Sequence, residues 1–186
     1  MNRQVHESVN KLESTLPSLD LSYIDGKGYY NLPAVRFPDN SIYKGQWNSS
    51  GKKHGYGIYV KEDGAKYEGY WLNDLQNGKG RYMDSKGNYY SGDWKDGKAC
   101  GQGVLVIEDA RYEGNWENDI QEGEGSECYK DGTSYKGTYK AGSKHGKGEF
   151  TWHDGSKYTG QFDKGAISGH GVLHWNDGRH YEGEWL

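Results

Sequence analysis

Tyr67-Glu68-Gly69-Tyr70-Trp71, followed by Gly78-Lys79-Gly80-Arg81-Tyr82 and the pair Lys86-Gly87, is the stretch on which the reading of this chain turns. Along an extended strand, residues i, i+2 and i+4 share a face, so Tyr67, Gly69 and Trp71 point together while Glu68 and Tyr70 point away. The same parity gathers Gly78, Gly80 and Tyr82 opposite Lys79 and Arg81. The pentapeptide recurs as YKGQW at 43–47, YEGYW at 67–71, YSGDW at 90–94, YEGNW at 112–116, YKGTY at 135–139, YTGQF at 158–162 and YEGEW at 181–185. Successive motif tyrosines are 24, 23, 22, 23, 23 and 23 residues apart, with one Gly-x-Gly between each two. A fixed period in the twenties signals stacked supersecondary units rather than a chain folded about one centre.

The composition agrees. Of 186 residues only 32% are hydrophobic, yet 30 are glycine, 17 tyrosine and seven tryptophan. Disordered chains are poor in aromatics, so a polar chain this rich in rings must bury them against glycine, where the missing Cβ lets a ring lie on the backbone. Asp-Gly or Lys-Gly pairs at 63–64, 86–87, 131–132, 154–155 and 177–178 mark hairpin turns. The unit ending Glu108-Asp109-Ala110 lacks that glycine, so its turn should differ. The segments Asn73–Asn77 and Lys140–His145 are expected to be longer polar loops on the opposite rim. The fold class expected is all-β: a single-layer antiparallel meander of β-hairpin repeats, elongated and twisted, with 13 motif-bearing strands.

These motifs resemble the MORN (membrane occupation and recognition nexus) repeat over roughly residues 39 to 186. The departures are Tyr139 and Phe162 where tryptophan is usual, and Glu127 on the ring face after Gly125. Residues 1–38 are assigned to an N-terminal helix, a linker and a degenerate capping unit. Val5, Val9, Leu12 and Leu16 form a helical stripe ending at Pro17. Gly26-Lys27-Gly28-Tyr29-Tyr30 reads as a stray second strand that guards the first sheet edge. Residues 39–186 hold six full repeats and a terminal half repeat.

No catalytic constellation is phased with the repeat. The Gly-x-Gly pairs lack the third glycine and following helix of a nucleotide-binding turn. His170 and His174 stand i and i+4 on a strand, about 13 Å apart, too far to share an ion. Cys100 and Cys128 form no CxxC pair, which fits a reducing compartment. The net charge of −4, with both signs mixed, excludes a nucleic-acid field and argues against an anionic membrane surface. No enzyme, metal or cofactor is expected.

The ring face is therefore the candidate site: Tyr67, Trp71, Tyr90, Trp94, Tyr112, Trp116, Tyr135 and Tyr139 for a partner's helical or extended segment, with Tyr181 and Trp185 as an edge for assembly. A second copy, or a paralogous MORN partner, is an alternative occupant. The resemblance implies a non-enzymatic scaffold in an axonemal, radial-spoke-like or other cytoskeletal assembly, in the cytoplasm or the cilium. Two other readings stand beside it. One is a phospholipid-binding, membrane-proximal module; the other is the regulatory MORN segment of a larger enzyme.

Overall fold

A computed structural model describes residues 29–186, and the expected helical stripe lies outside them. The chain divides into two compact units at Cys100/Gly101. Unit one contains β1 (Tyr30–Asn31), β2 (Val35–Arg36), β3 (Ile42–Trp47), β4 (Lys53–Val60), β5 (Lys66–Leu72), β6 (Leu75–Met83) and β7 (Tyr89–Lys95). The division falls within β8 (Lys98–Ile107). Unit two continues with β9 (Ala110–Glu117), β10 (Ile120–Tyr129), β11 (Ser134–Lys140), β12 (Ser143–Thr151), β13 (Lys157–Asp163), β14 (Ala166–His174) and β15 (His180–Trp185). In each unit the strands from β3 onward pair antiparallel in sequence order, β1 and β2 both pair with β3, and no described residue is helical. The fold is the expected all-β meander, and β3 to β15 are its 13 motif-bearing strands.

Register follows the glycines. Gly137 stands opposite Gly148, Gly148 opposite Gly160, and Gly160 opposite Gly171, so one glycine column crosses the strands. Side chains before and after each glycine point to the polar face, while the motif rings cover the other.

The rims correct one expectation. From Trp71 to Phe162 the segments after the motif rings are tight two-residue turns rather than long polar loops, whereas the first, after Trp47, remains a five-residue loop over 48–52. Asn73-Asp74, Asn118-Asp119, Ala141-Gly142 and Lys164-Gly165 all have both central residues at positive φ, the type I′ geometry that matches strand twist. The residues that read as loop are absorbed by a bulge at the first glycine of each Gly-x-Gly. Between the pairs Gly137/Gly148 and Tyr139/Lys144 the second strand holds two residues more than the first, and Gly146 takes φ 66°. The side chain opposite the bulge fills it: Gln46 Oε1 accepts the Tyr56 amide at 2.8 Å.

The Asp-Gly pairs complete wider turns than a two-residue hairpin. Trp152 N donates to Ser156 O at 2.9 Å, Gly155 N to Trp152 O at 3.0 Å, and Gly155 adopts φ 86°. Asp154 Oδ1 accepts the Ser156 amide at 2.9 Å. This is a type I turn closed by a left-handed glycine. Glu108-Asp109 joins β8 to β9 as a two-residue turn with Glu108 at φ 53°, the expected exception.

One turn carries avoidable strain. Ala141 holds φ 49° while exposed to solvent, a conformation that costs a non-glycine residue roughly 1–2 kcal/mol. Ala141→Asn creates the favoured Asn-Gly pair, and urea unfolding should show about 0.5–1 kcal/mol of added stability.

Of the expected capping strand, Gly26–Gly28 lie outside the described residues. Tyr30 stands opposite Trp47, while Val35 and Arg36 pair with Tyr43 and Ile42. In the next repeat the same places are held by Gly55 opposite Trp71, and by Tyr59 and Val60 opposite Tyr67 and Lys66. The two short strands thus replace one broken second strand, interrupted at Leu32-Pro33-Ala34 because proline supplies no ladder donor. Trp71 Nε1 donates to Gly57 O at 3.1 Å, but the equivalent carbonyl has left the sheet beside Trp47. Among the described residues Trp47 Nε1 has no acceptor.

Candidate functional site

The ring face is an edge-to-face ladder. Tyr43, Tyr67, Tyr112, Tyr135 and Tyr158 each lie between the ring four residues ahead and the matching ring of the next repeat. In unit one, Tyr67 meets Trp71 at 4.9 Å and Trp94 at 5.3 Å, with interplanar angles of 79° and 89°. In unit two, Tyr112 meets Trp116 and Tyr139, both at 5.1 Å. Tyr135 meets Tyr139 at 5.3 Å and Phe162 at 5.0 Å, and Tyr158 meets Phe162 at 5.3 Å and Trp185 at 5.5 Å. Such pairs add about 0.5–1.5 kcal/mol each beyond area burial.

Hydrogen bonds lock the ladder. The hydroxyls of Tyr43, Tyr67, Tyr90, Tyr112, Tyr135, Tyr158 and Tyr181 each donate to the carbonyl three residues on. The indoles of Trp71, Trp94, Trp116 and Trp185 donate to Gly57, Gly80, Gly103 and Gly171 carbonyls. Burial pushes the Tyr112 and Tyr135 phenols up to about 12, so they stay neutral donors at any physiological pH.

The rings expected to floor an open trough are covered by their own repeats. Tyr67, Trp71, Tyr90, Tyr112, Trp116, Tyr135 and Tyr139 are each 9% exposed or less, while Trp94 is half-buried. Tyr181 is exposed and Trp185 half-buried. Also half-exposed on this face is the second-strand column: Tyr59 and Tyr82 in unit one, and Leu105, Phe150 and Leu173 in unit two.

Two lysines hold matching places on the ring face, a feature the sequence reading missed although both fall two residues before the first glycine of Gly-x-Gly. Lys53 Nζ lies 4.8 Å from the Tyr59 ring centroid, 5.0 Å from Trp71, 5.2 Å from Phe37 and 5.9 Å from Tyr43. Burial among these rings pulls its pKa down, against opposing pulls from Asp74 and Asp39. Lys144 Nζ lies 5.2 Å over Tyr135 and 2.6 Å from Glu127 Oε2.

This pairing explains why Glu127 can occupy a position held by leucine or a ring in other repeats. Tyr129 donates to its other oxygen at 2.7 Å, and Tyr139 approaches Oε2 at 3.4 Å. Tryptophan at 139 would bring no hydroxyl, so Glu127 and Tyr139 are complementary departures. Burial raises the Glu127 carboxyl, but bonds from Lys144, Tyr129 and Tyr139 outweigh it and hold the group below the ordinary range.

Other candidate chemistry is sparse. His174 stacks on His180 across β14 and β15 at 5.8 Å, yet among the described residues no three His, Cys, Asp or Glu are placed to hold a metal. Cys128 is exposed, and burial pushes the half-buried Cys100 thiol up, away from nucleophilic thiolate character.

Comparison with known proteins identifies the repeat. The family description "MORN repeat" matches residues 43–66, 67–89, 90–109, 112–134, 135–157 and 158–178, well over half of the chain. Alsin of Homo sapiens is 37% identical over 81 residues, 41% of this chain and 5% of alsin. MORN repeat-containing protein 3 of Xenopus laevis is 33% identical over 84 residues, 42% of this chain and 34% of that protein. The chain therefore spans only a small part of alsin and about a third of the Xenopus protein. A solved structure of the Drosophila melanogaster SAS-4 (dCPAP) TCP domain with a proline-rich motif of Ana2 (dSTIL) aligns over 91% of this chain at 10% identity, with a TM-score of 0.49.

Proposed function

This chain belongs to the MORN repeat family, and from that premise we propose that it is a non-enzymatic scaffold whose ring face docks a helical or extended segment of a partner protein. The observation that carries this reading is the half-exposed second-strand column. Leu105, Phe150 and Leu173 project from the sheet face that also bears the ladder, so a partner lying there meets apolar side chains on a rigid support. The buried motif rings of Tyr112 and Tyr135 supply that rigidity, and Trp185 adds a half-open edge. A cytoskeletal assembly such as an axonemal one is the setting that the family resemblance implies. The mixed charge at a net −4 disfavours anionic lipid as the occupant.

The test is capture from the native source with identification of bound proteins by mass spectrometry. Phe150→Ala and Leu173→Ala are expected to lose the captured partner, at about 2 kcal/mol for a central anchor, while retaining a strand-rich circular dichroism spectrum. Capture that is equal for wild type and both variants would sink the docking site. Sedimentation with phosphoinositide vesicles, together with no captured protein, would favour the lipid reading instead.

A further inference from the structure

Tyr129, Trp152 and Trp175 occupy one place in three successive Asp-Gly turns of unit two. Each accepts the turn glycine amide and donates its own amide across the turn: Tyr129 to Thr133 at 2.9 Å, Trp152 to Ser156 at 2.9 Å and Trp175 to Arg179 at 2.9 Å. The turn does not need a ring there. Lys61 and Asp84 close the corresponding turns of unit one with the same two bonds, Lys61 N to Ala65 O at 2.8 Å and Asp84 N to Asn88 O at 2.9 Å. The turns themselves thus do not require the three rings, which stand on the rim rather than in the ladder, although the Tyr129 hydroxyl also donates to Glu127 at 2.7 Å. Tyr129 is 37% exposed; Trp152, resting on Phe150 at 4.8 Å, and Trp175 are half-exposed. Among the described residues neither indole N–H has an acceptor.

Spacing and charge select the occupant. Successive turns are two strands apart, so the rings repeat at about 9.6 Å. A polyproline II helix advances about 9.3 Å per three-residue turn, so one proline per turn would meet one ring. An α-helix returns the same face every 5.4 Å and would leave alternate turns without a ring. Polyproline II backbone has no internal hydrogen bonds, and its carbonyls suit the free indole N–H groups. Beside the rings runs a parallel row of exposed carboxylates, Asp131, Asp154 and Asp177, each two residues after its ring. Backbone hydrogen bonds from Thr133, Ser156 and Arg179 hold them ionised. Arg179 answers Asp177 at 2.7 Å and lies 5.4 Å over Trp175, a cation already placed as a basic ligand residue would be. Among the described residues Asp131 and Asp154 have no such ion pair.

We propose that this rim binds a proline-rich segment carrying arginine or lysine, with Tyr129, Trp152 and Trp175 receiving the prolines and Asp131 and Asp154 the basic residues. It is a second surface on the rim, adjoining the second-strand column where Trp152 rests on Phe150, and the peptide titration below tests it without the partner that the column is proposed to dock.

The experiment titrates the full chain into a fluorescein-labelled oligoproline peptide bearing an N-terminal arginine pair, read by anisotropy. The control peptide keeps the arginines and replaces every proline with alanine. The proline peptide is expected to bind, and the alanine peptide to bind at least about tenfold more weakly. Trp152→Asp/Trp175→Asp, a change whose side chain Asp84 shows the turn to accept, is expected to weaken the proline peptide by at least about tenfold while making the rim more acidic. An unchanged melting temperature certifies its fold. Equal binding of both peptides, unchanged binding by the folded double variant, or no saturable binding of the proline peptide would each overturn the proposal.

Discussion

Tyr135→Ala is expected to destabilise unit two by about 3–5 kcal/mol, the range for emptying a fully buried aromatic site. The ring is 1% exposed, meets Tyr139 and Phe162 edge-on, carries the Lys144 ammonium on its face, and donates its hydroxyl to Thr138 O at 3.0 Å. Tyr135→Phe removes only the hydroxyl bond and should cost about 1 kcal/mol. A partner test follows from the glycines underneath. A Cβ built on Gly148 would stand 2.5 to 2.8 Å from Tyr135 ring atoms, so Gly148→Ala overpacks the site and should cost about 1–3 kcal/mol in the wild-type chain. In the Tyr135→Ala background the obstructing ring is gone, and the same change should cost almost nothing. Urea unfolding of the four chains gives the coupling directly. Additive losses would mean that the glycine column is not there to receive the ring, and this account of the ladder would fail.

The second large effect concerns the ion pair on the ring face. Lys144→Met leaves the Glu127 carboxylate, whose side chain is 16% exposed, without its cation. The expected cost is about 1–3 kcal/mol, below the value for a fully buried pair because water still reaches the site. Removing both charges together, as Glu127→Leu/Lys144→Met, should be near neutral or stabilising, since Leu105 and Leu173 already occupy the equivalent position in other repeats.

The pH dependence has a definite sign. A carboxyl held below its unfolded value contributes stability that is present above that value and lost as pH falls through the folded one. Acidification below about pH 4 should therefore move the stability difference in favour of the double variant. The Lys144→Met deficit should shrink over the same range, because protonation removes the uncompensated charge. Guanidinium midpoints measured from neutral to acid pH decide this. A single variant as stable as wild type at neutral pH would show that the pair is a surface contact without structural weight.

Period and parity along the chain were enough to establish the strand count, the antiparallel order, the all-glycine column and the common face of Tyr67, Gly69 and Trp71. Each follows from the two-residue strand repeat and the missing glycine Cβ, which are properties of single residues and their spacing. The covering of Tyr67, Trp71 and Tyr135 was not legible, because a ring's exposure depends on the rings of adjacent strands that lean over it, and strand parity says nothing of lean. Nor was the exchange of rims. Asn73-Asp74 reads as the start of a loop until the bulge at Gly78 consumes the extra residues, and only the paired strand shows where a surplus is absorbed. The tolerance of Glu127 was likewise decided in three dimensions, since its cation, Lys144, comes 17 residues later and from the next-but-one strand. Repetition is written along the chain, but the partners of a side chain are chosen across it, by neighbours that sequence spacing does not rank.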